Sequence, residues 1–102
     1  GRQKPLIARF LPRMPTVIFA SAFQRHVPVP AESVEGATVG EALAAVFTRH
    51  PAVRGYVLDD QGAVRKHVAV LVDGAPLRDR ATLGDAVTPA TEVHVLQALS
   101  GG

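Results

Sequence analysis

The sequence of 102 residues contains no cysteine and no tryptophan, and it has one methionine and one tyrosine. Without cysteine the chain can form neither a disulfide nor a zinc–thiolate site, and it has no cysteine nucleophile. Any sulfur chemistry must therefore use sulfur that the chain does not encode. The sequence also lacks an apolar run of the roughly 18 residues needed to cross a membrane and a segment resembling a signal peptide. We therefore expect a cytoplasmic protein without a membrane partner.

Positive charge is concentrated at the start of the chain. Residues 1–13 contain four basic residues and no acidic one, whereas the remainder has seven basic against nine acidic residues, a net charge of −2. Met14 precedes the first strand-like run, so we expect residues 1–13 to be a tag or an otherwise dispensable basic extension. The alternative is a basic arm that docks on a partner or on nucleic acid. Because this segment has a single aromatic residue, Phe10, for base stacking, no nucleic-acid partner is predicted.

The first half of the chain predicts a hairpin followed by a helix. Residues 16–23 are rich in β-branched and aromatic residues and predict a strand, and residues 27–31 predict a second, proline-limited edge strand. Thr38 and Glu41 match a capping box, in which the Thr38 hydroxyl accepts from the Glu41 amide and the Glu41 carboxylate accepts from the Thr38 amide. The helix should end near His50, before a proline that cannot continue it. Its predicted apolar face consists of Val39, Ala42, Leu43, Val46 and Phe47, with His50 at its end.

The second half predicts two more strands and a free end. We expect a turn at residues 59–62, a strand at 67–72 followed by a tight reversal with positive φ, one short helical turn at 82–85, and a last strand at 92–98. The order β-β-α-β-β indicates an α+β protein in which one main helix packs on one face of a mixed sheet. This arrangement matches the β-grasp (ubiquitin-like) roll. The domain is predicted over residues 14–98, with a flexible C-terminal Gly-Gly tail at 99–102.

The two glycines that follow the last strand are the strongest candidate for chemistry. At ordinary glycine frequencies, two terminal glycines occur by chance in about one chain in two hundred. A carboxylate that enters an adenylating enzyme must pass through a narrow channel, which a side chain at either position would obstruct, and glycine adopts backbone conformations closed to other residues. The predicted reaction site is therefore the Gly102 carboxylate. The tail that leads to it consists of Leu99, Ser100 and Gly101.

Residues 14–102 resemble the MoaD/ThiS family of ubiquitin-like sulfur carriers. The resemblance is carried by the strand after Met14, the capped helix start at 38–43, the Val-Ala-Val-Leu-Val-Asp-Gly run at 68–74, and the closing residues 93–102. It implies that a ubiquitin-activating-type adenylyltransferase uses Mg-ATP to adenylate Gly102. A persulfide donor or sulfurtransferase then forms a thiocarboxylate, which a sulfur-accepting biosynthetic enzyme consumes. The resemblance further implies that the carrier itself binds no cofactor and is not an enzyme.

Several alternatives to this interpretation remain open. Small subunits of molybdopterin synthase commonly have a proline-rich segment before the glycines, whereas residues 97–100 here are Gln-Ala-Leu-Ser. Thiamine-type carriers are generally shorter and lack an insert like residues 56–66, so the chain looks closer to carriers that supply cysteine or another sulfur metabolite. The alternatives are a molybdopterin synthase small subunit, a ubiquitin-like modifier joined to lysines through Gly102, and a passive binding module with incidental glycines.

Strand alternation predicts a docking surface near the tail. If successive side chains point to opposite faces, Ile18, Leu71 and Leu96 lie together on the face away from the helix. We expect them to form an apolar patch that docks the activating enzyme, although they could instead be scattered surface residues. The predicted inward residues are Val17, Phe19, Val68, Val70, Val72, Val93 and Val95, and the other predicted outward residues are Ala20, His67, Ala69 and His94.

The remaining polar side chains predict neither a catalytic nor a metal site. The four histidines have no short metal-binding spacing, and no thiol is available to complete such a site. Asp59 and Asp60 are adjacent and therefore diverge, which favours a turn over an acid–base pair. Ser100 has no evident His-Asp partner. The histidines, expected at the surface or at a helix end, are His26, His50, His67 and His94.

Overall fold

The structure, a computed structural model, describes residues 14–24 and 28–97, and its main feature is a five-stranded mixed sheet. The strands lie in the order β2-β1-β5-β3-β4, with β1 and β5 parallel and the other neighbours antiparallel. This topology confirms the predicted α+β class and the β-grasp arrangement. The strands are β1 (Thr16–Phe19), β2 (Glu32–Ser33), β3 (Val68–Val72), β4 (Ala75–Pro76) and β5 (Glu92–Gln97), and the helices are α1 (Ser21–Gln24), α2 (Val39–Arg49) and α3 (Pro51–Val57).

Helix α2 begins at the predicted cap and ends where expected. The Thr38 hydroxyl accepts from the Glu41 amide at 3.2 Å, but the Glu41 carboxylate accepts from the Ala37 amide at 2.8 Å rather than from that of Thr38. Because the Thr38 backbone is extended, the amide one residue earlier comes within reach of Glu41. At the other end His50 caps the helix, with its amide donating to the Val46 carbonyl. The five apolar residues of the predicted face are buried.

Helix α3 was not predicted from the sequence. Pro51 stops α2, yet it occupies the first turn of the next helix, where its missing amide hydrogen would have no partner in any case. Val53 and Val57 are buried and anchor α3 to the core. The predicted turn at 59–62 follows and is confirmed, with Gly62 at φ +84°.

The opening hairpin is confirmed, but its elements lie elsewhere than predicted. Strand β1 ends at Phe19 instead of residue 23, and the short α1 follows it. The second strand is Glu32–Ser33, antiparallel to β1 at the sheet edge, and residues 28–31 do not form a strand. Pro28 and Pro30 have no amide hydrogen for a ladder, which explains the shift. Residue 27 lies outside the described residues.

The predicted helical turn at 82–85 begins three residues earlier, at Asp79. The Leu83 amide donates to the Asp79 carbonyl at 2.8 Å, so the single turn spans 79–83. The Asp79 carboxylate accepts from the hydroxyl of Thr82, from its amide at 2.9 Å, and from the amide of Gly84 at 3.0 Å. These bonds, led by that of the Thr82 hydroxyl, lower the pKa of Asp79 to about 2. An N-terminal carboxylate cap therefore moves the turn upstream of its predicted place.

The core lies between α2 and the inner face of the sheet, and it confirms the predicted strand alternation. Val17, Val93 and Val95 have no exposed surface, and the inward residues of β3 are buried except the half-buried Val72. The tight reversal after β3 is also confirmed, with Asp73 and Gly74 both at positive φ. The opposite face of the sheet therefore carries the alternate residues of the same strands.

Candidate functional site

The central strand of the sheet is the one that leads to the terminal glycines. Strand β5 is paired with β1 on one side and β3 on the other, and its last residue, Gln97, pairs with Val68. Gln97 therefore lies at the end of the sheet where β3 begins. Leu99, Ser100, Gly101 and Gly102 lie outside the described residues. The reaction site assigned to them therefore stays a prediction.

The three residues of the predicted docking patch share the outer face of the sheet. Ile18 on β1 and Leu71 on β3 both pair with His94 on β5, so the three side chains form one row across the sheet. Leu96 pairs with Ala69 in the next row, nearer to the tail. Ile18, Leu71, His94 and Leu96 are all half-buried. We call these four residues the outer-face patch.

His94 is the member of this patch that lies outside the predicted docking set. Strand alternation predicts that it lies on the outer face, but not that it lies between two apolar side chains. Its position between Ile18 and Leu71 depends on the parallel pairing of β1 with β5, which joins residues far apart in the chain. The outer-face patch is therefore apolar with one ionisable side chain at its centre.

A braced turn borders the tail end of the sheet. The Val68 amide donates to the Arg65 carbonyl at 3.0 Å, which closes a turn directly before β3. The Arg65 amide donates to Val57 at 2.9 Å, and its Nε donates to the Gly55 carbonyl at 2.7 Å. Its carbonyl also accepts from Nη2 of Arg80 at 2.6 Å. Arg65 therefore fixes the turn against α3 and the loop after β4.

Two carboxyl groups outside this surface, those of Glu32 and Asp79, have lowered pKa values because of structural hydrogen bonds. A hydrogen bond from His50 at 3.1 Å, with a further contribution from Arg49, lowers the pKa of Glu32 at the sheet edge. Asp79 caps the turn described above. Within residues 14–24 and 28–97, no group of three or more His, Asp or Glu side chains is arranged to hold a metal ion. No helix in the same part of the chain is long and apolar enough to span a membrane.

Comparisons with known proteins agree on one family. A sequence model of the ThiS family matches residues 18–102. Small archaeal modifier protein 1 of Haloferax volcanii is 38% identical over 66 residues, which cover 65% of this chain and 71% of that protein. A crystal structure of the same Haloferax protein has a TM-score of 0.70 at 28% identity, covering 86% of this chain and 98% of that one. A chain in the BexX/CysO complex of Amycolatopsis orientalis has a TM-score of 0.72 at 22% identity, covering 86% and 99%, and shows the shared fold.

Proposed function

Because this chain belongs to the ThiS family, we propose that it is a sulfur carrier that holds sulfur as a thiocarboxylate on Gly102. The observation that supports this most strongly is that the family match extends through Gly102, beyond the end of β5 at Gln97. A β-grasp domain whose central strand leads into Gly101-Gly102 can present that carboxylate to an enzyme. The domain supplies the recognition surface, and the chemistry occurs at the last residue.

The proposed reaction has two stages at one carboxyl group. A carboxylate is a poor electrophile, so the Gly102 oxygen first attacks the α-phosphorus of Mg-ATP in a ubiquitin-activating-type adenylyltransferase, and pyrophosphate leaves. A persulfide sulfur then attacks the acyl carbon, and AMP leaves. A second thiol cleaves the resulting acyl disulfide, which forms a new disulfide and releases the thiocarboxylate. Since the chain has no cysteine, the persulfide and the second thiol both belong to donor proteins or small thiols.

We further propose that the activating enzyme docks on Ile18, Leu71 and Leu96. These side chains are half-buried on the outer face of the sheet, where an apolar partner surface can cover them. Leu96 lies six residues before Gly102, and an extended chain of that length spans about 20 Å. An enzyme that covers this face therefore has the carboxylate within reach of its nucleotide site. Glycine at the last two positions lets the tail enter without side chains.

The acceptor of the sulfur is proposed to be a biosynthetic enzyme that makes cysteine or another sulfur-containing metabolite. In the Amycolatopsis structure, CysO is in a complex with a second protein, BexX. We extend this kind of association to the present chain. A thiocarboxylate is a soft, anionic nucleophile, so the acceptor enzyme must supply an activated, electrophilic substrate.

A second candidate function is supported by the Haloferax relative, which is a small archaeal modifier protein. A modifier would use the same Gly102 adenylate, but a lysine amine of a target protein would displace AMP and form an isopeptide bond. Both functions need the same docking face and the same tail. Isopeptide-linked conjugates of this chain in a cell extract would identify the modifier, and their absence alongside a thiocarboxylate would identify the carrier.

Intact-mass analysis tests the proposed function. The full chain is incubated with each adenylyltransferase of the ubiquitin-activating type from the source genome, together with Mg-ATP and a persulfide donor. One of these enzymes is expected to give the mass change for one oxygen replaced by sulfur. Deletion of Gly102 should abolish the change and leave thermal stability unaltered, since the described core ends before the tail. Failure of every such enzyme to load the wild-type chain would contradict the proposal.

A further inference from the structure

The braced turn before β3 presents two exposed basic side chains. Lys66 and His67 occupy the middle of the turn that the Val68-to-Arg65 hydrogen bond closes, and both are exposed. Neither makes a hydrogen bond or ion pair with another residue in the part of the chain that the structure describes. Arg65 is held by its own bonds to α3, so the turn that carries the exposed Lys66 and His67 is fixed.

This turn lies at the tail end of the sheet. Because Val68 pairs with Gln97, Lys66 and His67 lie near Gln97, the last residue of β5. The other end of the same two strands carries acidic residues, where Asp73 accepts from the Glu92 amide at 2.9 Å. Lys66 therefore lies at the end of these two strands opposite to Asp73 and Glu92.

We propose that Lys66, supported by His67, is a docking contact for an acidic surface on the enzyme that activates Gly102. This inference rests on the proposed function and adds a charged contact next to the outer-face patch. An exposed ammonium group on a fixed turn attracts an acidic partner over several ångströms and orients it before apolar contact is made. Because Arg65 already holds the turn, the turn backbone loses little conformational freedom when the partner binds. The expected partner feature is a cluster of Asp or Glu beside the entrance for the tail.

A kinetic comparison of matched charge reversals tests the contact. Lys66→Glu should raise the KM of the chain in ATP-dependent adenylation about threefold to tenfold with kcat unchanged, since charges at an interface rim act mainly on encounter. The increase should shrink as salt is raised, and Lys66→Arg should keep the wild-type KM. Arg54→Glu makes the same charge change on α3, where Arg54 is exposed, and should leave KM unchanged. Equal KM values for Lys66→Glu and Arg54→Glu, with both variants folded, would overturn the inference.

A zero-length cross-link gives a readout that does not depend on turnover. The sequence has two lysines, Lys4 and Lys66, so Lys4→Arg leaves Lys66 as the single lysine. Carbodiimide should then join Lys66 to an Asp or Glu of the adenylyltransferase that loads the wild-type chain, as mapped by peptide mass spectrometry. The further change Lys66→Arg should remove this link and retain loading. A link from Lys66 to the chain's own Gly102, or no link with an enzyme that loads the chain, would overturn the inference. If no enzyme loads the wild-type chain, the proposed function fails and this contact fails with it.

Discussion

Val95 and Leu96 are neighbours on β5, but they lie in different environments. Val95 has no exposed surface and belongs to the core shared with α2, whereas Leu96 is half-buried on the outer face. The same contrast holds between Val70 and Leu71 on β3. Inward residues fill the space between helix and sheet, and their outward neighbours leave apolar surface open to a partner. One strand can therefore contribute both to the stability of the domain and to the proposed docking surface for the activating enzyme.

The largest expected effect on stability comes from the inner face. Val95→Ala removes two methyl groups from a fully buried site and should lower the free energy of unfolding by about 2–3 kcal/mol. Leu96→Ala, one residue away, should lower it by less than about 1 kcal/mol because its side chain is already partly in water. Urea denaturation of both variants measures the difference. Similar losses for the two would show that the faces are not distinct in their contribution to stability.

The next largest effect is on the KM for adenylation. Here the outer face of the sheet, which contributes less to stability, should matter more. Leu96→Asp places a charge in the outer-face patch and should raise the KM for adenylation by about tenfold or more, because the charge would be desolvated against an apolar partner. The matched control is Ala44→Asp, which adds the same charge at an exposed position of α2. The adenylation rate as a function of carrier concentration gives both values. An equal loss in the control, or none at Leu96, would contradict docking on this face.

The smallest expected effect is on stability at low pH, and it comes from Asp79 in the loop beside α2, away from the outer face. The pKa of Asp79, lowered to about 2, lies below its ordinary value of 3.8. Its ionised form therefore stabilises the fold fully above about pH 4, and this contribution is lost as pH falls from about 4 toward 2. Asp79→Asn should be less stable than wild type at neutral pH, and the two should converge near pH 2. Thermal unfolding across this range checks the trend, and a constant difference would refute the capping role.

The features that were predictable from sequence are those set by local pattern. The capping box at Thr38 and the period of the apolar residues defined α2, and alternation defined the two faces of β3 and β5. Each signal lies within a short stretch of chain and agrees with the burial of that stretch. The β-grasp order followed from these elements, and the resemblance to sulfur carriers followed from the order together with the closing glycines.

Features that depend on distant contacts were not predictable in the same way. Helix α3 has seven residues and includes Gly55, so its helical preference is weak, and its stability comes from burial of Val53 and Val57. The place of β2 depends on which residues reach β1 after two prolines. The position of His94 within the outer-face patch depends on parallel pairing between β1 and β5. Local sequence does not encode such registers.

The most direct test of sulfur carriage uses the absence of cysteine. After incubation with the adenylyltransferase, Mg-ATP and a persulfide donor, the purified chain is treated with a thiol-specific alkylating reagent, for which the unmodified sequence has no target. Sulfur carriage predicts one label for each loaded chain, dependent on ATP and mapped by fragmentation to Gly102. Sulfur carriage would be contradicted if the chain stayed unlabelled after incubation with an active enzyme and donor, or if the label mapped to any other residue.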